Sequence, residues 1–268
     1  MILRGILIAT SGFLFIFSPG LPIGLLSRRS PPFDRELIYW GIGLWLVALL
    51  PSLFIQSLLR QLWIGERALS GQPVDYFFTL IGAILTAAFL TGGMVLVLRR
   101  RRNPGADPLP HGLALGYGVG LVAQVFTGLS LVGAGFRLMY GQATTPALTD
   151  FGTASLLTLV LGLLALILFR PALLLVSAVQ GVLVSRAVLS GWAPFFLAVL
   201  VGAFFTWAIL ALQMILGGEN PGQVLPGRTD SLVSGVTILY YLLVFGLAYR
   251  WLVAQLAGWR PSIRKGKG

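Results

Sequence analysis

The chain has 268 residues, of which 57% are hydrophobic and only 10% charged; a soluble domain carries about 25% charged residues, so an ordinary soluble fold is excluded. The formal charge is +11, from 19 Lys and Arg against 8 Asp and Glu, and it sits at the ends of apolar stretches, where membrane orientation and anionic headgroups explain it without a nucleic-acid partner. There is no Cys, which removes disulfides, thiolate metal sites, iron–sulfur ligation and Cys nucleophiles together.

Long continuous apolar runs predict an all-α, polytopic helical membrane protein, and their lack of alternation argues against a β-barrel. In chain order the runs cover about 5–26, 37–59, 76–98, 112–136, 151–189, 193–216 and 231–256. The first has one preceding charge, Arg4, and is read as a retained membrane helix that Pro19 and Pro22 break or end. Pro51 is expected to kink the second, because it removes a backbone donor and crowds the preceding turn. The third ends in four consecutive cations, Arg99, Arg100, Arg101 and Arg102, a topology anchor with a second reading as a site for anionic lipid or an acidic partner.

The fourth run opens on His111, the chain's only histidine, which is expected at the interface. Along it Gly112, Gly116, Gly120, Gln124 and Gly128 recur every four residues. We expect them on one helical face, as a close-packing surface or the wall of a cleft, with Gln124 bonding across it. Gly118, Gly120 and Ala123 match G-x-G-x-x-A, but no strand precedes them and no acid follows at the right distance, so no dinucleotide is expected.

The fifth run is too long for one simple span of about 20 residues, and Arg170-Pro171 divides it. Read as one span, with the N-terminus outside, 13 of the 19 cations fall on the cytoplasmic side, including Arg260, Arg264, Lys265 and Lys267. Read as two, the basic tail moves outside, against the positive-inside rule. Seven spans, N-out and C-in, are therefore expected, with eight as the alternative. Arg170 is the one cation deep in an apolar run, and it must snorkel, meet a lipid phosphate or pair with a carbonyl or a partner's acid. Residues 1–268 are expected to form a single transmembrane domain with short loops and a basic cytoplasmic tail, 257–268, in the inner (cytoplasmic) membrane. Trp63, Trp192, Trp251 and Trp259 lie near span ends, where indoles favour the headgroup region.

None of the eight acids, Asp34, Glu36, Glu66, Asp75, Asp107, Asp150, Glu219 and Asp230, lies inside an apolar run. Membrane catalysts and cation transporters usually need an acid or a His within the bilayer. Ser and Thr are plentiful, yet a nucleophile needs an adjacent base. A single His without Cys or a neighbouring carboxylate assembles no zinc site. No enzyme activity, metal or cofactor is expected.

Some short motifs do have a familiar order. Residues 81–102, IGAILTAAFLTGGMVLVLRRRR, resemble a helix that elsewhere carries paired glutamates, with Leu90 and Thr91 in their places. Residues 113–128, LALGYGVGLVAQVFTG, resemble a Gly-rich helix, with Gln124 for its glutamate. Residues 169–186, FRPALLLVSAVQGVLVSR, resemble an E-R helix: Arg170 and Val182 to Val184 match, while Phe169 and Ser177 replace Glu and His. Gly202 and Thr206 stand near a final His and Asp. Over about two thirds of its length the chain thus resembles the YhfC/PrsW group of intramembrane proteases, relatives of the CAAX-processing membrane proteases. The resemblance implies their helical frame without their catalytic residues.

The expected function is a non-catalytic accessory or structural subunit of a larger membrane complex, of the respiratory or photosynthetic kind, in contact with membrane lipids and other membrane subunits. One alternative is a catalytically dead protease-like regulator or assembly factor that binds membrane helices beside Gly116, Gly120 and Gln124. Another is a transporter or lipid-handling protein for an uncharged substrate, which would need a polar cavity at mid-membrane.

Overall fold

The structure is a computed structural model that describes residues 2–18, 20, 35–63, 73–101, 108–141, 155–217 and 231–257. It is all-helical over these residues. The helices are α1 (Ile2–Phe17), α2 (Arg35–Trp63), α3 (Pro73–Arg100), α4 (Pro108–Met139), α5 (Leu156–Ser190), α6 (Trp192–Gly217) and α7 (Ser231–Ala257). Windows within α2, α3, α5 and α7 are long and apolar enough to cross a membrane. The tail 258–268 and the connections 64–72, 102–107, 142–154 and 218–230 lie outside the described residues.

Local chemistry sets the helix ends. Pro73 and Pro108 occupy first helical positions, where a missing N–H costs nothing. Ser155 caps α5, its hydroxyl accepting from the Thr158 N–H at 3.1 Å. Gly141 (φ 71°) follows α4 and Gly191 (φ 104°) closes α5, backbone conformations that favour glycine. Gly191 is the only residue between α5 and α6, so these two helices meet in a tight corner.

The described part of the run 151–189 is one helix from Leu156 onward. Residues 156–190 are continuous through Pro171, and the turn at Arg170-Pro171 that would have made two spans is not formed. At about 1.5 Å per residue its 35 residues extend some 52 Å, well beyond a hydrocarbon core of about 30 Å. Pro51 likewise lies inside α2, which continues on both sides of it.

The helix α4 is the centre of the bundle. Residues 112–120 are all buried, with α2 and α5 packed closely against them. A Cβ built at Gly112 or Gly116 would collide with the carbonyls of Gly181 and Ser177 on α5, and one at Gly118 with the carbonyl of Ile38 on α2. Lower down, Gly128 and Gly135 on α4 face Gly12 and Gly5 on α1 in the same way. Lipid is as apolar as Leu, so helices in a membrane gain little from hiding hydrophobic surface; close backbone approach through small residues supplies van der Waals contact instead.

These contacts fix the order of the ends. Gly112 meets Gly181 and Ser185, while Gly120 meets Leu174, so α4 and α5 run antiparallel. Arg186 near the end of α5 donates to the Gln255 side chain near the end of α7, so those two run parallel. Arg101 after α3 forms an ion pair with Glu36 at the start of α2 and lies 5.5 Å from the Trp40 ring. One end of the bundle therefore gathers Arg35, Arg99, Arg100, Arg101, Arg186 and Arg250. Arg4 and Arg137 are at the other end. The Arg101–Glu36 pair is well exposed and screened by solvent, so Glu36→Gln is expected to leave the midpoint of a chemical-unfolding titration nearly unchanged.

Candidate functional site

Midway along the bundle five helices leave a cleft of about 60 Å³. Its walls are Trp45 of α2, Ala83, Thr86, Ala87 and Leu90 of α3, Val119 and Gly120 of α4, Leu173, Val176, Ser177 and Gln180 of α5, and Gly202, Phe205 and Thr206 of α6. Small residues keep the space open: Ala83, Ala87, Gly120 and Gly202 each carry at most one carbon beyond the backbone.

The polar groups are hydroxyls, one carboxamide and an indole. Thr86 donates to the Gly82 carbonyl at 2.9 Å, and Thr206 to the Gly202 carbonyl at 3.0 Å. With their hydrogens turned back onto their own helices, both threonines offer lone pairs to the cleft. Gln180 is 4% exposed, and its Nε2 donates to the Ala198 carbonyl on α6 at 3.0 Å. That bond ties α5 to α6, and Gly202 supplies the room: a Cβ there would overlap the Gln180 amide. Such a lining accepts and donates hydrogen bonds but holds no group that exchanges a proton near neutral pH. Among the described residues no three His, Asp or Glu side chains come together as a metal site would require.

Beside the cleft lies an aromatic cluster with a cation in it. The Phe169 ring stacks on Phe205 at 5.9 Å and approaches Tyr241 at 5.2 Å. The Arg170 guanidinium lies 4.8 Å from the Phe169 ring and 5.4 Å from the Phe15 ring of α1. An aromatic face carries negative charge density, so two rings offset part of the cost of a cation at this depth. Phe15 itself is fully buried, and α1 is thereby fastened to α5.

The residues singled out in the sequence do not form one site. Gly112, Gly116 and Gly120 face α5, whereas Gly128 faces Ile16 and Gly12 of α1. A row spaced by four residues drifts about 40° per step on a helix of 3.6 residues per turn, so sixteen residues carry it nearly to the opposite side. The expectation of a single face is corrected accordingly. Among the row's described residues, Gly120 lines the cleft, while Gly112 and Gly116 are spent on backbone contact. The Gln124 side chain lies outside the described residues, as does Arg102. Arg99 and Arg100 are exposed at the cationic end, His111 is half-buried near it, and Arg170 is half-buried beside the Phe15 and Phe169 rings.

The positions where the protease-like motifs would carry catalytic groups behave differently. Leu90, Ser177, Gly202 and Thr206 all line the cleft, and Phe169 stacks on Phe205, which also lines it. Thr91 is fully buried beside them in sequence, but it is absent from the lining. Periodicity alone did not single out Gln180 or Thr86. A carboxamide inside an otherwise apolar stretch was the available signal for Gln180, since burial in lipid demands a partner for it.

No protein-family model, curated protein or solved structure matches this chain.

Proposed function

We propose that this chain is a non-catalytic integral membrane subunit that packs against the helices of a larger membrane complex. The observation that carries the reading is the chemistry of the cleft. Five helices converge on it, and its polar lining consists of Thr86, Ser177, Gln180, Thr206 and the Trp45 indole. These groups recognise by hydrogen bonding and do not transfer protons. A volume of about 60 Å³ admits a few waters and no larger solute, which disfavours transport of an uncharged substrate through it.

The outer surface suits such a role. Leu46, Val47, Leu50 and Phe54 form one outward face of α2, and Phe196, Leu200 and Phe204 one of α6, each 45–70% exposed. Spacings of three and four residues keep each set on one side, suited equally to lipid and to a partner's helices. The charge pattern supports seven spans in the inner membrane, with the N-terminus outside and the arginine-rich end in the cytoplasm.

The convergence of Leu90, Ser177, Gly202 and Thr206 on one cleft favours a second reading, a protease-like frame that retains helix binding without cleavage. Affinity purification of the tagged chain in a mild detergent, with mass spectrometry of what accompanies it, tests both. A fixed set of membrane subunits at constant ratio is expected for the first reading. Varied single-span proteins at low occupancy would favour the second, and recovery of the chain by itself would contradict both.

A further inference from the structure

Among the described residues, a groove of about 730 Å³ runs along the outside of the bundle between α6 and α7. Val176, Val179 and Leu183 of α5 form its floor, each less than 10% exposed. Phe204 of α6 and Leu243 and Leu247 of α7 form its rims and are 60–61% exposed. Along α7 it runs from Tyr240 to Ala254, about 21 Å at 1.5 Å per residue. One end carries Phe205 and Tyr240, near the middle of α6 and α7. The other carries Arg250 and Trp251, with the Arg186 guanidinium 5.9 Å from the Trp251 ring. Among the described residues Arg250 makes no ion pair.

We propose that this groove holds one acyl chain of an anionic phospholipid from the cytoplasmic leaflet, with its phosphate at Arg250. Length fits this occupant. At about 21 Å the groove is as long as one leaflet is deep, headgroup included, since a whole bilayer is about 40–45 Å thick. Charge selects the headgroup. Arg250 and Arg186 stand at the end of the bundle that also holds Arg99 to Arg101, the end read as cytoplasmic, where anionic lipids concentrate. Trp251 is a residue type that favours headgroup depth. The inference rests on the chain crossing the membrane in that orientation and holds with or without partner subunits.

The test is native mass spectrometry of the delipidated full chain titrated with phosphatidylglycerol or with phosphatidylcholine of the same acyl chains. The unmodified chain is expected to bind one phosphatidylglycerol in preference to phosphatidylcholine. Arg250→Gln is expected to reduce that preference about fivefold, the effect of one cation near an anionic surface, while Arg99→Gln leaves it unchanged. Leu247→Trp, at an exposed rim position, is expected to fill the groove and abolish the one-lipid adduct without lowering the unfolding temperature. Equal binding of the two lipids, an adduct that survives Leu247→Trp, or a homodimer that Leu247→Trp dissociates would each overturn the proposal.

Discussion

Gly181→Ala is expected to be among the most damaging single substitutions in the chain. A Cβ at Gly181 would collide with the Gly112 carbonyl, and one at Gly112 with the Gly181 carbonyl. Both partners are backbone, so no rotamer relieves the overlap, and α4 and α5 must move apart along a contact that also includes Gly116 and Ser177. Overpacking of this kind costs about 1–3 kcal/mol. The comparison that gives the number meaning is Gly246→Ala on α7, where an added Cβ meets nothing within 4 Å. That change is expected to be neutral or to stabilise by up to about 1 kcal/mol, since glycine is a poor helix former. Thermal unfolding of the two variants in the same detergent measures the difference. Equal midpoints would mean that α4 and α5 are not held by this contact.

The second large effect is expected at the cleft. Gly202→Ala forces the Gln180 amide away from the Ala198 carbonyl. The lost interhelical bond is worth about 0.6 kcal/mol on average in a membrane, and leaving a buried amide unsatisfied adds about 1–3 kcal/mol. If the clash is the cause, shortening the side chain removes it. Gly202→Ala should cost far less in a Gln180→Ala background than in the unmodified chain, with a coupling of about 1 kcal/mol or more. A full double-mutant cycle by chemical unfolding checks this. Strict additivity would show that Gly202 and Gln180 do not share the space described for them.

Much of the helical frame is legible in the sequence, because lipid leaves the backbone little choice. Every N–H and C=O inside the hydrocarbon must be satisfied locally, so a long apolar run is a helix. The runs at 37–59, 76–98 and 231–256 accordingly lie within α2, α3 and α7. Helix ends are less legible. Asp75, which reads as a connecting residue, falls in the first turn of α3, since a helix continues past the apolar boundary as long as caps and water allow. Arg170-Pro171 reads as a break and is not one. A single proline removes one hydrogen bond, which neighbouring helices tolerate, and the true stop is Gly191 with its positive φ.

The candidate site was legible only in part. Glycine periodicity in the fourth run marks close helix contact, but it does not say with which neighbour, and α4 uses its glycines against α1, α2 and α5 in turn. The cleft draws Leu90, Ser177, Gly202 and Thr206 from three helices, a convergence that no spacing within one helix encodes. The α6–α7 groove left no mark in the sequence. Its rims are ordinary apolar residues, and only packing decides whether a Leu covers a neighbouring helix or faces an empty channel.

The proposed role places the chain within an assembly rather than by itself. It is tested most directly by the mass of the particle that contains it, extracted from native membrane into lipid nanodiscs without detergent. A particle much heavier than the 28.8 kDa chain is expected, with other membrane subunits present at a fixed ratio. A protein mass of 28.8 kDa, or a whole multiple of it with no other protein present, would contradict that role.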